Sequence, residues 1–525
     1  GAGGLAGAGG LAGAGGDVGN VWRLMPDERL TGWGWAGLGL AGSLAMTAAG
    51  PALTGGGATN WWFTVHLPGG HSADNAVFYA GVAALCLAWL GLGRRLSRPP
   101  ATKPSRLALI GALWCLPLVF GPALFSHDVY SYMAQGEILH LGLNPYHHAP
   151  QVLAELGHRH LLATVSPFWR TTTSPYGPLF LGLASVIATV VGSHLILGVI
   201  LMRLLEVTGV VLLAVFIPRL ARALGTDPAR ATWLAVISPL VLLELIAAGH
   251  NDALMIGLLV AGVTLAMERR PLLGIAVCAI AATVKLPAAA GIALIAAAWA
   301  RAEWDAAAAG ADRTRAAAKA LALGAAVTVA VLAVVSVATG LGLSWVGTGV
   351  LSTPGKVHLA ITPVTAAGWS LASLLHLLGA GASYRGIASA LGVVALALTG
   401  VLGVVLLRRA RYGNLVASLG ALLLVSVFAG PATWPWYLTW GLALIACCAV
   451  AQRSWLLPLA IVLAALVVKP GGILALPLHA APIVLALYVI AAAVLWRAHR
   501  RRDGNRSPGR VRGLAAGEQA ALTNS

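Results

Sequence analysis

From about residue 34 to residue 496 the chain is a succession of apolar runs, and its basic residues crowd into every second gap between them. A membrane-crossing helix needs about 20 apolar residues, fewer where flanking side chains snorkel. On that measure spans are expected near 34–53, 76–93, 107–125, 195–217, 231–248, 252–267, 271–285, 286–300, 320–339, 386–407, 412–430, 436–451, 455–468 and 475–496. That is fourteen at the upper end of an expected 12 to 14, with both termini on one side. Of the 34 Lys and Arg residues, 27 then fall on the side of the termini. Six fall on the other (Arg159, Arg170, Lys285, Lys356, Arg385 and Lys469), and Arg203 lies inside a span. Cytoplasmic loops carry the excess of positive charge, so the termini are expected in the cytoplasm and the sparsely charged side outside, across the plasma membrane.

Composition agrees. A chain that is 58% hydrophobic and 10% charged cannot hide its apolar surface as a soluble domain, so an all-α polytopic membrane protein is expected. The net charge of +17 is spread in short clusters between apolar runs. That is the pattern of membrane orientation and of attraction to anionic lipid heads, and nucleic acid is not an expected partner. The five cysteines sit in apolar stretches without metal-ligand spacing to histidine and read as small buried residues. Residues 1–30 begin with a Gly-Ala-Gly-Gly-Leu-Ala repeat that lacks the basic start of a signal peptide. They read as a low-complexity segment ahead of a membrane domain over 31–498, with a basic, disordered cytoplasmic tail over 499–525.

The charge pattern also decides one ambiguous segment. Residues 178–191 are apolar, yet a crossing there would place Arg219 and Arg222 outside and invert every later loop. At 14 residues the segment is expected to lie along the outer interface or dip partway in, and residues 363–378 look similar. The outer side then carries one long loop, about 126–194, a second over 340–385, and short polar turns at 249–252, 431–436 and 469–472. A loop as long as the first is usually functional.

The long loop opens on Ser126-His127-Asp128-Val129-Tyr130-Ser131-Tyr132, directly after a span. A carboxylate there can take a proton from an attacking hydroxyl. Asp128 could equally cap a helix over 129–139. Asn144 and Tyr146 in Gly-Leu-Asn-Pro-Tyr, and Tyr176 in Ser-Pro-Tyr-Gly-Pro-Leu, offer hydroxyls and aromatic faces to a sugar, or serve simply as turn residues. His147-His148 lacks a third ligand at helical spacing, so no metal and no cofactor are expected. His250-Asn251-Asp252 falls between two spans, where polar groups are costly unless they line a wet cavity; Asp252 could also start the next helix. Lys285, ahead of a helix break at Pro287, needs an anion and has none nearby in sequence. A lipid phosphate would serve, with Lys356, Arg385 or Lys469 adding charge, snorkelling being the alternative. Arg203 and Glu206 are spaced to pair on one helix face. Trp434 and Trp436 could stack on sugar rings or, like Trp61-Trp62, belong to an interfacial belt. There is no Gly-rich phosphate loop, and the one close acidic pair, Glu303 and Asp305, is expected in a cytoplasmic loop. An outward-facing transferase would need a donor carried in the membrane.

Together, 126–132, 142–146, 174–179, 249–252 and the Val-Lys-Leu-Pro at 284–287 resemble the GT-C glycosyltransferases. More narrowly they resemble the actinobacterial polyprenol-phosphate-mannose-dependent α-1,6-mannosyltransferases of lipomannan synthesis. The resemblance implies interfacial helices in the first outer loop, Asp128 as catalytic base and Lys285 at the lipid phosphate. His127, Tyr130 and Tyr132, beside Asp128, are further candidates to contact the sugar along with the residues above. The resemblance also implies inverting transfer of mannose from polyprenyl-phosphate mannose to a lipid-anchored mannan acceptor. An α-1,2-mannosyl or arabinofuranosyl relative, or from another class a transporter or lipid flippase, are the competing readings.

Overall fold

The structure is a computed structural model that describes residues 32–54, 61, 68–96, 102–308, 310–346, 362–381, 383–430, 433–474 and 480–504. Its elements are helices, apart from a two-residue antiparallel pair, Val468–Lys469 with Ile473–Leu474, that closes a tight turn. Among the described residues seven helices are long and apolar enough to cross a membrane: Gly32–Leu53, Gly70–Arg95, Leu195–Ala223, Leu286–Ala306, Ala311–Ala338, Tyr384–Arg408 and Tyr412–Ala429. A bent pair, Val241–Ala247 with Asp252–Met267, makes an eighth if taken as one span. The protein is therefore an all-α, multi-pass membrane protein. Five further apolar helices are shorter, at 10 to 17 residues.

The difference from fourteen expected spans has a local cause. Hydropathy counts apolar residues and does not register interruptions. The run at 436–451 breaks into Leu438–Ile445 and Ala449–Gln452, and the run at 231–248 becomes Pro228–Ala235 followed by the π-helix Val241–Ala247. Residues 178–191, by contrast, form one helix of the expected length, Pro178–Val191. At 1.5 Å per residue it reaches only about 21 Å, short of a hydrocarbon core of about 30 Å. It lies against Asp128–His140 so closely that a side chain on Gly136 would meet the Ala184 carbonyl at 2.4 Å. Pro363–Leu377, the second short helix foreseen in the sequence, starts at a Thr362–Thr365 capping box.

Helix pairs cross where glycine faces glycine. A Cβ built on Gly42 would lie 2.6 Å from the Gly81 carbonyl, on Gly257 2.4 Å from that of Gly209, on Gly274 2.6 Å from that of Gly262, and on Gly441 2.4 Å from that of Gly420. Lipid tails are as apolar as leucine, so association in the bilayer depends on such close backbone approach. A stacked pair, Trp89 and Trp233, adds a polar tie: each indole donates to the other's backbone carbonyl, at 2.9 and 2.8 Å.

Three expectations fail here. Trp61 is buried and donates to the Phe120 carbonyl at 3.1 Å, so it packs inside the bundle, while Trp62 lies outside the described residues. Glu303 and Asp305 sit on the helix Ala289–Ala306, where Trp299 bonds the first and Arg301 and Arg411 the second, so they mark no loop. Arg203 and Glu206 do not pair. Arg203 turns to backbone carbonyls, and Glu206 accepts from the Leu254 N–H at 3.3 Å.

Candidate functional site

The polar motifs converge on a cavity of about 520 Å³. Its walls come from six places in the chain: Phe125–Asp128, Ser166–Trp169 with Tyr176, Lys285–Pro287, Leu396 on Tyr384–Arg408, the end of Tyr412–Ala429 with Trp434–Trp440, and Gly471–Gly472.

Asp128 stands at the first position of the helix Asp128–His140. It is not the cap; its own N–H donates to Ser126 Oγ at 3.0 Å, which leaves the carboxylate free to face the cavity. Trp169 Nε1 donates to Oδ1 at 3.0 Å, and Oδ2 lies 3.6 Å from His250 Nε2. His250 is fully buried and stacks on Trp436, centroids 3.8 Å apart, and Trp436 stacks in turn on Trp434 at 4.8 Å. The Glu244 carbonyl accepts from His250 Nδ1, so the ring must donate there. Nε2 faces the Asp128 carboxylate beyond hydrogen-bond distance and has no hydrogen-bond partner of its own among the described residues. Asp128 and His250 form a close pair without a hydrogen bond between them, reached through a break in the membrane helix. The π-helix Val241–Ala247 ends, the chain turns at Gly249 (φ 76°), and Asp252–Met267 departs at 117°. The π-helix is a form often found at functional sites.

Lys285 sits at the second break. The helix Pro271–Ala282 stops, Lys285 is extended, and a 3₁₀ turn at Leu286–Ala288 starts the next helix. The anion missing from its sequence neighbourhood comes from another helix: Nζ is 2.9 Å from both oxygens of Asp252, 33 residues upstream. Sequence proximity could not reveal a partner supplied by a neighbouring helix. The ammonium also lies over the Tyr437 ring, 4.6 Å from its centroid, and its side chain remains 13% exposed at the cavity wall. Asp252 itself is fully buried, bonded to Lys285 and to Trp440 Nε1 at 2.5 Å, so it supports the wall and does not face the cavity.

Of the remaining expected site residues, His127, Tyr176, Trp434 and Trp436 line the cavity. Burial, and then the Asp128 charge, hold the Tyr176 phenol well above the usual tyrosine range, which makes it a neutral hydroxyl and no base. Asn144 and Tyr146 are turn residues: Asn144 Oδ1 accepts from the Tyr146 N–H at 2.9 Å, and the Tyr146 hydroxyl donates to the Tyr176 carbonyl at 2.8 Å. With Ser174 N–H on the Pro145 carbonyl, they knit the two turns together. The second turn is tied to the Lys285 break by Gly177 N–H to Val284 O and Leu179 N–H to Thr283 O, both 3.0 Å. Tyr130 and Tyr132 are buried in the helix packing, Tyr132 edge-on to Tyr176 and Phe180. Asn251 is fully buried without a bonded partner for its amide. Arg385 is exposed on Tyr384–Arg408 and Lys469 on its two-residue strand, neither of them lining the cavity; Lys356 lies outside the described residues. Trp169 and Trp440, the two indoles that hold the carboxylates, carried no signal in sequence.

Two family models match in succession: the alpha-(1->6)-mannopyranosyltransferase N-terminal domain over residues 36–303 and the MptB C-terminal domain over 361–499. The chain is 34% identical to alpha-(1->6)-mannopyranosyltransferase A of Mycobacterium tuberculosis over 442 residues, 80% of this chain and 81% of that one. It belongs to the alpha-(1->6)-mannopyranosyltransferase family. It is likewise 37% identical to the A enzyme of Corynebacterium glutamicum over 233 residues, 43% of this chain and 46% of that protein. Identity to the B enzyme of that organism is 30% over 219 residues, 39% of this chain and 36% of that one. No solved structure matches. As a member of a mannopyranosyltransferase family the chain is a glycosyltransferase, which sets the transporter reading aside. Asp128, His250 and Lys285 fall in the first matched segment and Trp434, Trp436 and Trp440 in the second, so the mannopyranosyltransferase cavity is assembled across both.

Proposed function

We propose that this protein transfers mannose, with inversion, from polyprenyl-phosphate mannose to a lipid-anchored mannan acceptor. The product linkage is α-(1→6), made at the outer face of the plasma membrane. The observation that carries the reading is one cavity lined on one side by a carboxylate, Asp128, with His250 buried behind it, and on another by a cation, Lys285. Leu396 and Val427 line it too, from two apolar helices, which suits a donor whose leaving group carries a long hydrocarbon. In the step, the acceptor oxygen bonds to the anomeric carbon while the bond from that carbon to the phosphate oxygen breaks on the opposite side. The hydroxyl proton passes to Asp128, which Trp169 and His250 hold in place. The departing phosphate gains a negative charge beside Lys285, whose third ammonium hydrogen is not committed to Asp252. Trp434 and Tyr176 give the sugar an aromatic face and a hydroxyl, with Trp436 already stacked against Trp434 and His250.

The test is transfer from radiolabelled polyprenyl-phosphate mannose to short mannosides by wild type and by Asp128→Asn, with linkage analysis of the product. An α-(1→6) product that disappears in Asp128→Asn is expected; an undiminished rate in that variant sinks the base assignment. Sidedness is read separately. The exposed His147, replaced by Cys, should react with an impermeant maleimide from outside intact cells, and labelling only after lysis would reverse the orientation.

A further inference from the structure

A guanidinium buried in a membrane helix calls for partners, since burying an unpaired charge is costly. Arg203 is fully buried, and among the described residues no carboxylate pairs with it. Its η nitrogens instead donate to four carbonyls. Nη1 meets Val119 at 3.2 Å and also Gly121; Nη2 meets Pro122 at 2.5 Å and also Ala247.

Those carbonyls belong to two separate pieces of backbone. The first is the end of the helix Pro104–Phe120 and the irregular stretch that leads into Asp128. Phe125 in that stretch has φ 63°, a left-handed conformation that a non-glycine residue keeps only when its surroundings impose it. The second is the last residue of the π-helix, three before His250. Leu124 N–H to the Ala247 carbonyl, 3.2 Å, reinforces the junction, and Gly249 lies against the stem of Arg203 and against Val129.

We propose that Arg203 is a positioning residue: by bonding both segments it fixes the approach of Asp128 to His250, and it affects transfer only through that pair. The proposal rests on the reading of Asp128 as the base. A planar guanidinium reaches several acceptors in fixed directions, which a lysine ammonium does not, so Lys is a partial substitute at best.

The test uses the full chain in detergent, with polyprenyl-phosphate mannose as donor and a short α-(1→6)-mannoside as acceptor. Gel filtration and a thermal melt report folding. Arg203→Lys is expected to fold, to lose about 10- to 100-fold in kcat as the pair drifts out of register, and to keep a donor KM within about twofold of wild type. Arg203→Met should lose more. In an Arg203→Lys, His250→Gln cycle the double variant should be no slower than His250→Gln alone, within about twofold, because both changes disable one unit. A wild-type kcat in Arg203→Lys, multiplicative losses in the cycle, a donor KM that rises in step with the loss, or an Arg203→Lys that does not fold would each overturn the positioning role. Asp128→Asn, run alongside, separates the two readings: if it turns over normally the base assignment fails on its own account.

Discussion

Replacing Lys285 or Asp252 singly, and then both together, separates what the pair does for the fold from what the lysine does for the reaction. Nζ lies 2.9 Å from each Asp252 oxygen, with the carboxylate fully buried and the lysine side chain 13% exposed. At that distance and an effective dielectric of about 20, the attraction is about 6 kcal/mol. Desolvation of the two ions offsets much of it, but the loss of one partner leaves the other charge buried and alone, which typically costs about 3–5 kcal/mol. Lys285→Met and Asp252→Asn should therefore each lower stability by that order. The double variant holds no orphan charge and should lie closer to wild type than the two losses summed. The assay is unfolding in detergent micelles, followed by tryptophan fluorescence. Losses that simply add would refute the buried pair. Activity then gives a second answer: a double variant that folds yet shows a raised donor KM or lowered kcat assigns Lys285 to the donor phosphate, and full activity leaves it a structural cation.

Further outcomes follow from the same geometry. Asp128→Asn should leave the melt unchanged and lower kcat by about 10²- to 10⁴-fold, the usual contribution of a general base, as read by label transfer. Trp169→Phe removes the indole donor and keeps most of the ring; a bond to a charged group is worth about 1.5–3 kcal/mol, so kcat should fall about 10- to 100-fold. An unchanged kcat would show that Trp169 does not orient Asp128. Gly209→Ala would press a methyl to 2.2 Å from the Ala253 carbonyl, at the crossing that carries Asp252, and should destabilise by about 1–3 kcal/mol in the same melt. Trp436→Leu removes the ring stacked on His250 and should lower kcat more than it lowers stability, measured side by side.

How much of this was legible in the sequence depended on the range of each interaction. Pro178–Val191 could be read because a crossing there would invert the sign of every later loop, and the break at Lys285 because Pro287 announces it. Asp128, His127, Trp434 and Trp436 were found as polar or aromatic residues near span ends and Tyr176 as a turn residue of the long loop, and they do meet at one cavity. Partners across long separations were not found: Trp169 is 41 residues from Asp128, and Trp440 is 188 from Asp252. Where two local explanations competed, as for Asn144 and Tyr146, turn chemistry won because their hydrogen bonds were already committed to backbone. Arg203 misled for the opposite reason. Glu206 lay at the right spacing, but two pieces of backbone far apart in the chain offered four acceptors that no sequence window displays.

The facing glycines have a consequence for how such a chain can change. Where two helices touch through peptide groups alone, their spacing is dictated by the size of a hydrogen atom, whatever the surrounding leucines and valines become. The lipid-facing exterior is thereby uncoupled from the interior scaffold. Drift can rewrite most of the greasy surface while Asp252, carried one residue before the Ala253 carbonyl that meets Gly209, stays where it is.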